Sequence, residues 1–336
     1  MQDIITQLNA LSKAARARPL TPEESAKRQH LRQMYIASFR TNLTAQLDSI
    51  DILNPDGSVT NLSEKKKNKI FADQHIHSNL STDSSVPAAS YASAARKKGL
   101  THLTLTQHYE VDYPNPLFLA PPSVAAMVTA AEELAAAAPE ITVGLGVECG
   151  YGQPVSCVES FLMELYKTKK LDFVLLSVHS VRGTDPYEER YFEGRTLRQA
   201  YRAYLEALLE SVQSGLPYHA VGHFGYVSKY SGRPILEAED FPALCDEILQ
   251  TIIKEQKAME INTSSIPTKG QPLAPSSILK RYAELGGRLI TFGSDAHAPE
   301  NLGQCFTQAR QIALDCGLTE YAIYTKGEPK MAPLQF

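Results

Sequence analysis

The chain lacks any long apolar run: nowhere do the roughly 18 consecutive apolar residues of a membrane span occur, and residues 1–18 contain no signal-peptide core. A non-membrane protein of the cytoplasm is the expectation. Cysteine is scarce and unpatterned. Cys149, Cys157, Cys245, Cys305 and Cys316 are odd in number, widely spaced and free of any CxxC, which argues against a disulfide framework and a thiolate zinc site and leaves small core residues as the reading of most of them. Low-complexity tracts are also missing, and 43% hydrophobic residues is ordinary for a folded α/β protein. Nor does the net charge of −4 give the whole chain a polyanion-binding signature. The charge is nevertheless uneven: residues 1–69 carry 11 Lys and Arg against 7 Asp and Glu, which makes them +4 and the remainder −8.

At 336 residues the chain exceeds the usual single-domain size and suits one barrel of roughly 250 residues with a small attachment. The attachment comes first. Ile4, Leu8, Leu11 and Ala15 recur on one face of a first helix, and Leu31, Tyr35, Phe39, Leu43 and Leu47 on one face of a second. Pro19 ends the first. Thr21-Pro22-Glu23-Glu24 starts the second, with an N-cap threonine, a proline at the first helical position and a glutamate three residues after the cap. Asn54-Pro55-Asp56-Gly57 reads as a turn. The expected organisation is a helical hairpin over residues 1–62, a polar linker over 63–69 and a barrel over 70–330.

From residue 70 onward, apolar runs of strand length alternate with helical patterns at 123–138, 156–169, 197–214, 241–256 and 276–285, which implies a parallel sheet. The strand candidates are 70–73, 101–106, 142–147, 173–178, 218–222, 258–261 and 288–293, seven in all. At or just past their C-terminal ends stand, in order, His75 with His77, His108, Glu148, His179, His223, Glu260 with Asn262, and Asp295 with His297. In a parallel barrel these ends converge on one rim, so residues far apart in the chain can meet. Six of the nine histidines belong to this series.

Each element also has a bland reading. His75-Ile76-His77 has the two-residue period of a strand, so both imidazoles can point to one side, yet alone it is two polar residues at a strand end. Asp83, in a Ser/Thr-rich loop, is a hard oxygen ligand or a helix cap. A single histidine at a strand end is more often a hydrogen-bonded structural residue, and only the repetition of His108, His179 and His223 changes that balance. Glu148 follows the apolar run 143–147, where a buried carboxylate is costly unless a cation compensates it. Ser294-Asp295-Ala296-His297 again spaces two ligand types by two residues. Asp73 either orients an imidazole or begins its strand. Glu260 and Asn262 are expected to form hydrogen bonds, and His30, His102 and His219, outside the pattern, to be structural or solvated.

Together, Asp73-Gln74-His75-Ile76-His77-Ser78 with Asp83, Thr106-Gln107-His108, Gly146-Val147-Glu148, Ser177-Val178-His179, Gly222-His223 and Gly293-Ser294-Asp295-Ala296-His297 resemble the motifs of PHP (polymerase and histidinol phosphatase) proteins, in order, over residues 70–330. Glu260-Ile261-Asn262-Thr263-Ser264 and the segment after Ser294 look most like histidinol-phosphate phosphatases. The resemblance implies an α/β fold, a distorted seven-stranded β/α barrel, with three metals: His75, His77, Glu148 and Asp295 around one, Glu148, His179 and His223 around a second, and Asp83, His108 and His297 around a third. One departure is Gln107, where the family usually has an acidic residue. Residues 1–60 separately resemble the small two-helix bacterial proteins of the YnzC type, through Leu20-Thr21-Pro22-Glu23-Glu24 and Leu31-Arg32-Gln33-Met34-Tyr35-Ile36.

The expected activity is hydrolysis of a small phosphomonoester, L-histidinol phosphate to L-histidinol in histidine biosynthesis, with His75, Glu148, Asp295 and His297 at the catalytic centre. Two or three divalent ions, Zn, Fe or Mn, suit the imidazole and carboxylate donors, and two of them together lower the pKa of a bridging water and supply hydroxide as nucleophile. Among Arg182, Arg190, Arg195 and Arg233, the phosphate contacts are expected from Arg182 and Arg233. Asp185 or Glu189 would meet the substrate amine and Tyr113 or Tyr187 its imidazole, although each of these residues also has a plain solvent-facing reading. The alternatives are a nucleotide or nucleic-acid end as substrate, which the basic hairpin mildly favours, and a binding protein with a degenerate barrel. The reading leaves room for a homo-oligomer and includes no membrane partner.

Overall fold

Residues 2–17 form the first helix that their apolar spacing predicts, α1 (Gln2–Ala17). The computed structural model describes residues 2–18, 20–21, 24–25, 27–29, 31–32, 35, 51–53, 59–61, 71–229 and 232–334, which fall into one unit up to residue 68 and a second over residues 69–335. In the first unit Thr21 N donates to Glu24 Oε2 at 2.9 Å and Glu24 N to Thr21 Oγ1 at 3.2 Å, the reciprocal pair of a capping box. Arg18 adds donors to the same carboxylate at 2.8 and 2.6 Å. Leu31 is buried. His30, Phe39, Leu43 and Leu47, the turn at 54–57 and the linker at 63–69 lie outside the described residues. Not expected were β1 (Asp51–Leu53) and β2 (Val59–Asn61), an antiparallel pair too short to show an alternating pattern.

The second unit holds seven parallel strands paired in chain order: β3 (Ala72–Ile76), β4 (His102–Tyr109), β5 (Thr142–Gly150), β6 (Leu171–Ser177), β7 (Ala220–Val221), β8 (Ala258–Asn262) and β9 (Ile290–Gly293). Between and after them run α2 (Tyr91–Lys98), α3 (Val124–Ala137), α4 (Val155–Lys167), α5 (Leu197–Val212), α6 (Pro242–Lys254), α7 (Ile266–Lys269), α8 (Ser276–Glu284) and α9 (Phe306–Asp315). Local chemistry sets their starts: Ser123 caps α3 by accepting from Ala126 N at 3.2 Å, and Thr196 with Gln199 forms a capping box on α5. Helix α5 then buries Ala200, Tyr204, Leu205, Leu208 and Val212, a stripe of helical period, against the barrel core.

The ring closes at the rim. Just past β9, Asp295 N donates to His75 O and His77 N to Ala296 O, both at 2.9 Å, so the first and last strands are joined by the residues that follow their apolar runs. At the other end, near the starts of β6, β7 and β8, an antiparallel hairpin of β10 (Glu320–Thr325) and β11 (Glu328–Pro333) packs Ala322 and Tyr324 against Phe173, Leu175, Ala220 and Ala258. Gln74 ties it down: its Nε2 donates to Ala322 O at 2.8 Å and its Oε1 accepts from Tyr324 N at 2.7 Å, completing the edge of β10. One mouth of the barrel is therefore filled by side chains and the polar rim is left at the other.

All five cysteines are free; Cys149 and Cys245 are buried in the core, Cys305 and Cys316 are half-buried against it, and Cys157 is exposed. Among the described residues no helix is long and apolar enough to cross a membrane.

Candidate metal centre

Register assembles the site around Glu148. The β4–β5 pairing sets His108 directly beside Glu148, whose carboxylate is almost wholly buried. Its Oε1 accepts from Ser177 Oγ at 2.7 Å and lies 2.8 Å from His223 Nε2 and 3.2 Å from His179 Nε2. Around Oε2 stand His75 Nε2 at 3.1 Å, His77 Nε2 at 3.3 Å and His108 Nδ1 at 3.2 Å, yet this buried oxygen receives no hydrogen bond. Asp295 completes the inner group, with Oδ1 3.7 Å from His75 Nε2 and 3.5 Å from His77 Nε2.

The histidines are aimed by partners on their far nitrogens. His75 Nδ1 meets Glu260 Oε1 at 2.6 Å, His179 Nδ1 meets Glu110 Oε1 at 2.7 Å, and His77 Nδ1 meets Ser81 Oγ at 3.0 Å. The last of these is fixed by elimination. Ser78 N can only donate, so Gln107 presents its carbonyl oxygen there at 3.0 Å; Ser81 Oγ donates to the same oxygen at 2.9 Å and must therefore accept from His77. Gln107 thus completes a neutral relay where an acidic residue was expected. With protons on Nδ1, the Nε2 lone pairs of His75 and His77 face each other at 3.0 Å. His179 and His223 repeat that Nε2 spacing. Facing lone pairs beside an unpaired carboxylate oxygen repel unless a cation lies among them, and imidazole and carboxylate donors without thiolate suit Zn, Fe or Mn.

A more open group continues to the surface. Asp83 Oδ2 lies 3.0 Å from His297 Nε2 and 3.5 Å from His108 Nε2, while His297 Nδ1 donates to Asp295 O at 2.9 Å. All nine residues expected as ligands, His75, His77, Asp83, His108, Glu148, His179, His223, Asp295 and His297, are therefore gathered on one rim. Sets of single donor atoms within 4.8 Å of one another occur in His75, His77 and Glu148, in Glu148, His179 and His223, and in His77, His108 and His297. Glu110, which the sequence reading passed over, makes a further set with His108 and His179.

Charge in this array is strongly coupled. Burial would raise the Glu148 carboxyl, but His75, His179 and His108 hold it well below the usual range. Burial opposes a charge on His75, yet Glu148, Glu260 and Asp295 lift it well above the ordinary imidazole value, so that where no cation lies among the donors a proton on Nε2 takes its place. His77 goes the other way, to about 4, through burial and the neighbouring His108 and His297. Asp295 is also held low, with Lys229 Nζ donating to its Oδ2 at 2.7 Å against the cost of burial.

Second-rank roles differ from expectation in one case. Asp73 meets no imidazole; its carboxylate accepts from Ser294 N at 2.9 Å, Ser294 Oγ at 2.5 Å and Gly303 N at 2.8 Å. It pins the turn on which Asp295 adopts φ +55°, a left-handed conformation that aspartate tolerates better than most residues. Imidazole orientation falls to Glu260, which also accepts from His223 N at 2.8 Å and Asn262 Nδ2 at 3.2 Å. Glycine at 293 makes room: a Cβ there would stand 2.1 Å from Glu260 Oε1 and 2.5 Å from His75 Cβ. Both Glu260 and Asn262 thus take the hydrogen-bonding roles read from sequence. His219 is structural, its Nδ1 accepting from Val174 N at 2.8 Å, and His102 Nδ1 pairs with Thr101 Oγ1 at 3.1 Å.

Over the cluster lies a cavity of about 60 Å³ whose walls include Tyr113, Phe118, Tyr226 and Lys229. None of the four candidate arginines lines it. Arg182 lines a separate groove with Asp112, Tyr151 and Glu206, carried outward by positive φ at both Arg182 and Gly183. Arg233 stacks on Phe192 at 3.8 Å, Arg195 on Tyr191 at 5.0 Å, and Arg190 pairs with Glu188. Asp185 is buried and receives the Tyr113 hydroxyl and, at 2.7 Å, Tyr187 N, whereas Glu189 and the Tyr187 side chain are exposed. Tyr226 packs its ring 5.1 Å from His179 and 4.9 Å from His223.

Residues 73–264 match the model of the PHP domain. The chain belongs to the PHP family. Its PHP portion is 28% identical over 248 residues to a probable histidinol-phosphatase of Clostridium acetobutylicum, covering 73% of this chain and 94% of the relative. A Lactococcus lactis histidinol-phosphatase is 28% identical over 258 residues, 75% of this chain and 94% of its own. The PHP barrel superposes with a TM-score of 0.68 on the crystal structure of the Lactococcus lactis histidinol phosphate phosphatase complexed with zinc, L-histidinol and phosphate, at 26% identity over 78% of this chain and 99% of that one. Ahead of the PHP domain, residues 3–67 match a model described as a bacterial protein of unknown function, and a protein of that kind from Lachnospira eligens is 38% identical over 66 residues, 20% of this chain and 79% of its own. The chain is thus a PHP-domain hydrolase related to histidinol-phosphatases, with buried His and Glu clusters suited to metal.

Proposed function

We propose that this PHP protein hydrolyses a small, amine-bearing phosphomonoester, histidinol phosphate foremost, to the free alcohol and phosphate, a step in histidine biosynthesis. The observation that carries the reading is the pairing of a donor-rich cluster around Glu148 with a buried carboxylate, Asp185, at the same rim. His75, His77, Glu148 and Asp295, then Glu148, His179 and His223, then Asp83, His108 and His297 are the residues that would hold divalent ions. Bound there, such ions supply Lewis-acid chemistry, polarising phosphoryl oxygens and acidifying water.

The remaining work falls to protein groups. Lys229, fixed on Asp295, is the cation in the cavity wall and takes over the phosphate-contact role expected of Arg182 and Arg233. Asp185 accepts the substrate amine, since a buried carboxylate already oriented by the Tyr113 hydroxyl and Tyr187 N needs no reorganisation to do so. Tyr113, Phe118 and Tyr226 offer faces for an imidazole and keep water away. The related Lactococcus lactis enzyme, crystallised with L-histidinol, phosphate and zinc, supports this choice of substrate.

The test is metal analysis of the purified protein together with steady-state kinetics on histidinol phosphate, other phosphomonoesters and 3′- or 5′-phosphorylated oligonucleotides. Preferential turnover of an oligonucleotide end would overturn the small-substrate reading and give the basic N-terminal unit a purpose.

A further inference from the structure

We propose that Glu110 is a positioning residue that couples two of the metal positions, its single oxygen Oε1 facing the Nδ1 atoms of two histidines whose Nε2 atoms serve different groups. The inference rests on the metal-centre reading above. Oε1 lies 2.7 Å from His179 Nδ1, within hydrogen-bond distance, and 3.4 Å from His108 Nδ1. On its far side His179 presents Nε2 to His223 Nε2 at 3.0 Å and to Glu148 Oε1 at 3.2 Å. His108 presents its Nε2 in another direction, to Asp83 Oδ2 at 3.5 Å in the outer group. One carboxylate thus stands behind a member of the Glu148–His179–His223 group and a member of the Asp83–His108–His297 group.

The fold makes a place for it. Glu110 follows the last residue of β4 and is buried, and β5 ends beside it at Gly150, where a Cβ would sit 1.8 Å from Glu110 Oε2 and 2.4 Å from its Cδ. Any larger residue at 150 expels the carboxylate. A buried carboxylate with no cation or N–H partner would be costly, and the partners it has are these imidazoles. At His179 the acceptor on Nδ1 fixes the proton there and leaves Nε2 as the ligand atom. Glu110 is therefore an orienting group, although it stands close enough to His108 and His179 to be mistaken for a ligand. Because His108 Nδ1, which makes no hydrogen bond, faces at 3.4 Å the same oxygen that holds His179, disturbing that oxygen loosens two positions while the group of His75, His77 and Asp295, anchored by Glu260 and Ser81, keeps its supports.

The experiment is competition for zinc between the full-length protein and a graded chelator, with zinc equivalents counted by elemental analysis and the fold checked by circular dichroism and thermal melting. For Glu110→Gln, two equivalents should leave together at roughly 10- to 100-fold lower chelator strength than in the wild type, the usual cost of losing a ligand's outer partner, while the tightest equivalent is unmoved. Gly150→Ala, which keeps Glu110 but displaces it, should give the same curve, and serves if Glu110→Gln does not fold. A wild-type curve in both variants overturns the role of Glu110 alone. Loss of a single equivalent makes it a ligand of one ion and overturns the coupling. A wild-type protein that takes up no zinc overturns the metal reading and the inference with it.

Discussion

His75 Nδ1 and Glu260 Oε1 are 2.6 Å apart, and both residues are fully enclosed. Glu260 holds the inner imidazole with one oxygen and the backbone of the strand end carrying His223 with the other. For Glu260→Gln the expected result is a retained fold with zinc affinity of the inner group reduced roughly 10- to 100-fold, since a neutral amide is a weaker orienting acceptor. Glu260→Ala should in addition destabilise the protein by about 3–5 kcal/mol, because an imidazole and an N–H lose a buried partner at once. Denaturant titration with chelator competition reads both, and unchanged zinc affinity in Glu260→Gln would remove Glu260 from the site.

Lys229 is the cation that geometry places against the cluster. Lys229→Met should lower kcat/KM for a phosphomonoester by roughly 10- to 100-fold, the size of a lost charge-assisted hydrogen bond, and Lys229→Arg should recover part of it. Zinc content must be measured alongside, because Asp295 loses its partner. Unimpaired turnover in Lys229→Met would return the phosphate contact to the arginines.

How far this site could be read from sequence depends on where each polar residue sits in its strand. The apolar runs announce seven strands, but four of them stop short, at residues 73, 106, 147 and 261, whereas β3, β4, β5 and β8 continue to Ile76, Tyr109, Gly150 and Asn262. A polar residue was taken as a strand end, although strands here carry His75, His108 and Glu148 inside their length. That same habit hid Glu110, whose two-residue spacing from His108 repeats that of His75 and His77. Lys229 had no local pattern to betray it, since its place depends on the path of the chain after His223. Arg182 shows the converse: three residues from His179 in sequence, it is turned away by two successive left-handed residues, which no spacing argument records. The β10–β11 hairpin went unread because its value lies in plugging a mouth that exists only once the ring has formed.

His219 should make stability fall in mild acid. Burial, with a lesser contribution from Lys257, pushes its pKa from 6.5 down to about 4, because the neutral ring must accept from Val174 N. Between those two values the unfolded chain takes up a proton and the folded chain does not, so stability is lost as pH falls from about 6.5 to about 4, by at most about 3 kcal/mol from this group. His219→Gln keeps an acceptor and cannot titrate. Denaturant unfolding at about pH 7 and about pH 4.5 should show a shallower loss for the variant; parallel losses would assign the acid sensitivity elsewhere.

Asp185 distinguishes recognition of the ester from recognition of what the phosphate is attached to. Its carboxylate is buried, receives the Tyr113 hydroxyl and Tyr187 N, and is not among the metal-facing donors. If it meets the substrate amine, Asp185→Asn should lower kcat/KM for histidinol phosphate by roughly 10- to 100-fold, the cost of a lost charge-assisted contact, and leave a phosphomonoester without an amine nearly untouched. Tyr113→Phe, which frees one lone pair of Asp185 while keeping its charge, should spare the amine-bearing substrate. Equal losses on both substrates in Asp185→Asn would mean that the carboxylate only braces Tyr113 and its own loop, and specificity would then have to come from the aromatic faces alone.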